Sequence, residues 1–475
     1  MPDTRPLQPA KRLAVIGLDC AEPSLVFGSL RDELPTLRRL AQEGWSSRMR
    51  STDPPITVPA WSAMLTSLSP GELGFYGFRN RADYSYDQLT TASSKAVTAP
   101  RVWDIASQAG RRVIVLSVPQ TYPPTAVNGE LVSCFLTPSR ESEFTYPASL
   151  KEELERVAGP HIMDVEDFRT DDKDGLLQRI YALGRQRFEQ ARHLVTTRPW
   201  DFFMMVEMGL DRLHHGFWKY FDPVHPKHEP GHRLARAIPD YYRFLDEQIA
   251  ELMACFDDET AVVVCSDHGA QAMLGGICIN GWLQREGYLT IKGDHPPGTP
   301  LSHEMVEWSK TTAWGYGGYY GRLCLNVKGR EPEGVVAPAA YEVVRSELKA
   351  RLEALGDERG RPIHTRVHRP EEVFDTVRGI PPDLFVYFGD LAWRSIGTLG
   401  WGEIHRFEND TGPDDANHAQ QGMYIYTHPS LPARGRVDGP TLYDVTPTIL
   451  TQLGLPVPGD MTHVAALREA VRGVD

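Results

Sequence analysis

Residues 12–19 read RLAVIGLD, an apolar run that stops on a carboxylate. A short apolar run of this kind fits a strand buried on both faces, as in a parallel sheet. The pattern returns along the 475-residue chain. DFFMMVEMGLD (201–211) is followed by His215, AVVVCSDHG (261–269) closes on Asp267 and His268, and His418 precedes GMYIYTHP (422–429). RRVIVLS (111–117) is a further strand-like run. Helical stretches separate the runs. LPTLRRLAQE (34–43) is stopped by Gly44, AWSAMLTSL (60–68) has Pro59 at its first turn, and HRLARAIPDYYRFLDEQIAELMACF (232–256) carries Pro239. The alternation predicts an α/β fold, a three-layer α/β/α sandwich around a mostly parallel sheet. Ligands of open parallel sheets gather at the carboxyl ends of the strands. Asp19, Asp211, His215, Asp267, His268 and His418, distant in sequence, are therefore expected along one edge.

From about Gly269 to His405 the regularity weakens and Gly, Trp and Tyr become common, as in AWGYGGYYGRLCLNVKGREPEG (313–334). One helix, YEVVRSELKARLEAL (341–355), and one strand, DLFVYF (383–388), stand out. The expected organisation is a core of residues 11–268 and 406–460, with residues 269–405 inserted as a lobe over the sheet edge. TLYDVTPTILTQLGLPVP (441–458) predicts a closing helix.

Lys and Arg number 50 against 63 Asp and Glu, a net charge of −13 that argues against nucleic acid as a bulk partner. A small anionic substrate is not excluded, because two dications would reverse the local field. The first residues, MPDTRPLQPAKR, hold no apolar segment, and no run is long enough to span a bilayer. A cytoplasmic location without membrane association is the expectation, and oligomeric state is left open. None of the six cysteines forms a CxxC pair, which fits reduced core thiols.

Asp211 and His215 are four apart, so on a helix they share a face and can share an ion. Adjacent Asp267 and His268 diverge on a regular strand and converge only where the strand breaks, which Gly269 permits. Asp19 ends a buried strand with no charge partner nearby in sequence, a costly position that a cation relieves. Thr57, in PPITVPAWSAM (54–64), falls just before a helix start, where backbone N–H groups favour anions. Its hydroxyl becomes a nucleophile only beside a base or a metal. Trp61 is expected to pack under that helix.

VIGLD (15–19), TVPAWSAMLTSLSPGELG (57–74), DRLHH (211–215), SDHG (266–269), NHAQQGMYI (417–425) and DVTPTILTQLGLPVPGDM (444–461) resemble the alkaline phosphatase superfamily, in family order. Within it they resemble particularly the type I phosphodiesterase/nucleotide pyrophosphatase branch. VWDIASQAGRRVIVLSVPQTYPP (102–124) and NVKGREPEGVV (326–336) are similar to a prokaryotic subgroup of phosphohydrolases or phosphomutases. The resemblance implies two divalent ions. Asp19, Thr57, Asp267 and His268 would hold one, and Asp211, His215 and His418 the other. It also implies Thr57 as the nucleophile and a covalent phosphothreonine. Asp and His ligands suit Zn²⁺, and Mn²⁺ tolerates the same set.

The chain departs from the branch where substrate phosphate is held. Ala60 stands in place of an asparagine, and Phe78 falls near a second one. Arg79 and Asn80 are the candidate replacements, an arginine there favouring a more highly charged phosphate. Tyr316, in an aromatic segment with Trp314, Tyr319 and Tyr320, is the candidate for stacking on substrate. The sulfatase signature is absent at TVPAW. A phosphodiesterase is the favoured expectation. Beside it stand a phosphomonoesterase or phosphomutase of the same superfamily, and a non-catalytic binding protein on the same fold.

Overall fold

The computed structural model describes residues 9–429, 435–436 and 439–461. Its centre is a nine-stranded sheet. Across it run Gly435–Arg436, Trp45–Arg50, Gln421–Thr427, Thr260–Cys265, Arg12–Leu18, Phe202–Glu207, Val113–Leu116, Gly129–Val132 and Thr145–Tyr146. Only Gln421–Thr427 and the two-residue Thr145–Tyr146 oppose the common direction. RLAVIGL occupies the middle, parallel to a neighbour on each side, with Leu18 level with Glu207 and Gly17 level with Cys265. The predicted α/β architecture and mostly parallel sheet are present.

The apolar runs are explained by burial on both faces. In the central strand Leu13 and Val15 join one hydrophobic cluster, while Ala14, Ile16 and Leu18 join another. The first cluster is closed by the helices Thr57–Thr66, Val102–Gln108 and Val445–Gln452. The second is closed by Pro35–Glu43, Lys173–Thr197, Gly209–Phe221 and Ala237–Met253. Pro35 starts one helix and Gly44 ends it, as the sequence indicates. The six cysteines are all free thiols and five are buried, in agreement with their reading as core residues.

Residues 269–405 fold around two small sheets. One runs Ala313–Tyr316, Gly321–Leu325, Leu384–Tyr387 and Arg366–His368, all antiparallel. The other sets Gly275–Cys278 between Trp393–Ile396 and His405–Arg406. They share a hydrophobic cluster that includes Ile277, Trp282, Leu323, Leu348 and Val386. Gly269–Ala272 pairs with Ala416–Ala419 and so sits with the core elements at the sheet edge. Among the described residues no helix is long and apolar enough to cross a membrane.

Candidate active site

Three neighbouring strands deliver carboxylates or their carriers to one edge. Asp19 follows Arg12–Leu18, and its backbone N–H donates to the Glu207 carbonyl at 2.9 Å. The chain then turns through Cys20 at φ +66°, which aims the Cys20 N–H at Asp267 Oδ1, 3.3 Å away. Asp267 and His268 leave the end of Thr260–Cys265 and converge, with His268 Nε2 3.2 Å from Asp267 Oδ2. Gly269 contributes by close approach rather than by the loop freedom expected of it. A Cβ there would lie 2.3 Å from the Gln421 carbonyl oxygen.

Asp211 and His215 lie on one face of the helix Gly209–Phe221, His215 Nε2 3.4 Å from Asp211 Oδ1. His214 points elsewhere, its ring edge-on to Trp218 at 5.2 Å. His418 sits in Ala416–Ala419, just before the antiparallel strand Gln421–Thr427. The starting end of an antiparallel strand coincides with the carboxyl ends of its parallel neighbours, so His418 reaches the common edge. Its Nε2 is 3.6 Å from Asp211 Oδ1, and its ring stacks on His268 with centroids 3.8 Å apart.

Two groups of metal-capable atoms result. Asp211, His215 and His418 form one, as expected together; Asp19, Asp211 and His268 form the other. The ligand atoms within each lie within 4.8 Å of one another. Asp211 belongs to both, which the sequence reading did not foresee, and Asp267 stands beside the second through His268. Buried Asp19 Oδ1, Asp211 Oδ1, His215 Nε2 and Asp267 Oδ2 take no hydrogen bond. Buried polar atoms are normally satisfied. A divalent cation where these atoms meet satisfies them together, so the donor set fits such an ion.

The electrostatics agree. Burial, then Asp267 and Asp211, push the Asp19 carboxyl well above the usual carboxylate range. Burial raises Asp267 likewise, against the Cys20 N–H. Burial opposes ionisation of Asp211 as well, but His215 and Arg212 outweigh it and hold its carboxyl well below the ordinary range. Burial disfavours the charged form of His215, yet Asp414 and Asp211 raise it to about 9. Burial lowers His268 to about 4, which keeps its ring neutral, the form that binds metal.

Thr57 is the first residue of the helix Thr57–Thr66, one position further in than expected, and its Oγ1 lies 3.4 Å from His268 Nε2. Trp61 packs beneath the helix as anticipated, and its indole N–H also donates to Asp19 Oδ2 at 2.7 Å. The helix bearing the hydroxyl is thereby tied to a candidate ligand.

Asp414 is the principal residue that sequence reasoning missed. Its side chain is fully buried and accepts from His215 Nδ1 (2.7 Å), Arg169 Nε (3.0 Å) and the Tyr319 hydroxyl (3.2 Å). A carboxylate on the far nitrogen of a ligand histidine fixes its tautomer and orientation. Tyr319 also stacks on His215, centroids 4.8 Å apart, so within the aromatic segment it is Tyr319 that reaches the centre. Tyr316 lines a neighbouring cavity of about 500 Å³, and its hydroxyl donates to the Tyr86 carbonyl at 3.2 Å.

Arg79 is exposed and lines a cavity of about 360 Å³ beside Thr57, bounded by Ile56 and Tyr319. Asn80 does not present its amide there. Its Oδ1 accepts from the Tyr76 N–H (2.7 Å) and its Nδ2 donates to the Gly77 carbonyl (2.9 Å). One N–H of the amide and one lone pair of its oxygen are spent in the turn, so Asn80 shapes the hairpin that carries Arg79.

Residues 13–414 match the model of the family described as type I phosphodiesterase/nucleotide pyrophosphatase. The chain belongs to that family. It is accordingly a metal-dependent phosphohydrolase, as the resemblance implied. No curated protein matches it in sequence. Among solved structures it is similar to human ectonucleotide pyrophosphatase/phosphodiesterase 5, with TM-score 0.56 and 10% identity over 97% of this chain and 99% of that one. It is also similar to phosphonoacetate hydrolase from Sinorhizobium meliloti 1021, solved with phosphonoformate, at TM-score 0.58 and 16% identity over 94% and 96% of the two chains. A third likeness is to an inactive threonine-to-alanine variant of murine ectonucleotide pyrophosphatase/phosphodiesterase 5 in complex with AMP, at TM-score 0.54 and 11% identity over 97% and 99%. At these identities the likenesses establish the shared fold.

Proposed function

We propose that this family member is a two-metal phosphodiesterase whose nucleophile is Thr57. The observation that carries the reading is the meeting of the Thr57 hydroxyl with two metal-capable groups that share Asp211. Asp211, His215 and His418 would hold one ion. Asp19, Asp267 and His268, with Thr57, would hold the other. Zn²⁺ is favoured by this His and Asp set, with Mn²⁺ the alternative. Bound divalent ions lower the pKa of a nearby hydroxyl and withdraw charge from phosphoryl oxygens.

The chain's own groups do the rest. Thr57 Oγ1 attacks phosphorus, the ester oxygen leaves in line and takes up the hydroxyl proton as an alcohol, and a phosphothreonine that keeps the second ester arm forms; water then releases the phosphate monoester and restores the hydroxyl. Asp414 keeps His215 oriented, and Trp61 keeps Asp19 oriented. The small phosphate ester enters through the cavity lined by Arg79. Residues 269–405 form the lobe over that entrance, and the cytoplasm is its proposed compartment. The nucleotide and phosphonate ligands bound by the structural relatives support a substrate of this size.

Arg79 favours a second reading, in which a more highly charged monoester is cleaved or its phosphoryl group passes to another hydroxyl, as in a phosphomutase. Hydrolysis of bis-p-nitrophenyl phosphate and p-nitrophenyl phosphate by metal-loaded protein separates the two. The variant Thr57→Ala should keep its metal content and lose turnover by at least about 10³-fold. Near-normal turnover in that variant ends the mechanism.

A further inference from the structure

The cavity beside Thr57 is lined by five arginines, Arg79, Arg169, Arg212, Arg322 and Arg394, and by no acidic residue. That is a sharp local reversal in a chain of net charge −13. Three of the guanidiniums already have carboxylate partners behind the wall. Arg212 pairs with Asp164 (2.7 Å) and Asp211 (2.6 Å), Arg169 with Asp414 (3.0 Å), and Arg394 with Asp410 (3.7 Å) and Asp414 (3.8 Å). Arg79 and Arg322 have no carboxylate partner among the described residues.

Arg322 is nonetheless held in place. It donates to the carbonyls of Arg79 (2.9 Å) and Gly317 (3.3 Å), and its guanidinium lies 5.1 Å from the centroid of the Tyr316 ring. Two of its five N–H donors are used in this way, and the others remain for a ligand. A fixed guanidinium fork matches phosphate or carboxylate oxygens bidentately. At about 360 Å³ the cavity falls in the range of small-molecule sites, so it receives a whole substituent. The scissile phosphate has its own place at Thr57, among the metal-capable atoms.

We propose that the cavity binds a second anionic group of the substrate, a carboxylate or phosphate on the arm distal to the scissile bond, through Arg322 and Arg79. This rests on the phosphoesterase reading above and narrows its substrate class to esters with two separated anionic centres.

The test compares 4-nitrophenyl ethyl phosphate with its 2-carboxyethyl and 2-phosphonoethyl counterparts, using metal-loaded protein. kcat/KM should favour the anionic arms by at least about tenfold, and the better of the two identifies the anion. Arg322→Gln and Arg79→Gln together should bring the ratio towards one. Because the ratio is taken within each protein, damage common to all three esters cancels. A wild-type ratio near one, or a ratio the double variant does not change, overturns the proposal and leaves the phosphoesterase reading intact. If none of the esters is cleaved, that reading fails, and calorimetric titration with succinate still decides the cavity. Binding weakened at least about tenfold by Arg322→Gln supports it; equal binding, or none to either protein, overturns it.

Discussion

The sheet edge and the cavity beside it are built by opposite rules. At the edge, acidic and imidazole groups crowd together on strand ends and one helix, with buried atoms left without hydrogen bonds. In the cavity, arginines converge from five separate segments, and most are neutralised from behind by carboxylates. Asp414 joins the two, touching His215 on one side and Arg169 on the other. Four of these arginines also stand on strands or a helix, Arg79 in Arg79–Arg81, Arg212 in Gly209–Phe221, Arg322 in Gly321–Leu325 and Arg394 in Trp393–Ile396, so the cavity wall is fixed as the edge is. The contrast teaches that one buried carboxylate can orient a candidate ligand and balance the charge of the wall that would meet substrate.

If the edge works as one unit, Asp211→Ala should have the largest effect. Because Asp211 stands in both groups, metal analysis of the purified variant should find both ions lost, with activity down at least about 10³-fold. His215→Ala should remove one ion only. Equal loss in the two variants would erase the distinction between the groups.

Asp414→Asn tests the joint between the regions. It keeps the shape but removes the charge beside His215 and Arg169, and should reduce metal affinity or activity about 10–100-fold. An effect confined to KM would place Asp414 with the cavity alone.

A smaller effect is expected on stability. The folded pKa values of Asp19 and Asp267 lie above their unfolded values, so without metal the folded chain retains protons that the unfolded chain has released. Its stability therefore falls as pH rises. His215, raised to about 9, acts in the same direction: its contribution is complete below its unfolded pKa and is lost as pH climbs through 9. Bound cations replace those protons. The gain in Tm on adding Zn²⁺ should grow between pH 6.5 and 9, and a flat profile would contradict the charge balance described for the edge.

The least effect on chemistry should come from Leu348→Ala, in the hydrophobic cluster of residues 269–405. Unfolding experiments should show a loss of about 2–5 kcal/mol, while metal content stays unchanged. Loss of metal in that variant would make the two regions a single cooperative structure.

The sheet and the metal edge were legible because their signals are local. RLAVIGLD and AVVVCSDHG carry the strand and its terminal carboxylate in one stretch, and Asp211 with His215 carries the helical spacing. His418 was legible as a candidate but not in its placement, since it precedes an antiparallel strand and occupies a short strand of its own. The interactions of Asp414 and Tyr319 were hidden because they join segments nearly two hundred and about a hundred residues apart through irregular backbone. The structural part played by Asn80 was hidden for a different reason, because only the folded turn brings its amide to the Tyr76 N–H and the Gly77 carbonyl.

Gly17 sets a mechanical tolerance. A Cβ at that position would lie 2.5 Å from Trp61 Cη2 and 2.9 Å from Val206 Cγ2, closer than real Cβ atoms come to their neighbours. The strand that leads into Asp19 and the helix that begins with Thr57 are thus a clearance fit, machined to the thickness of a bare backbone. Even one added methyl group would act as a shim there, shifting the hydroxyl relative to the carboxylate without touching either.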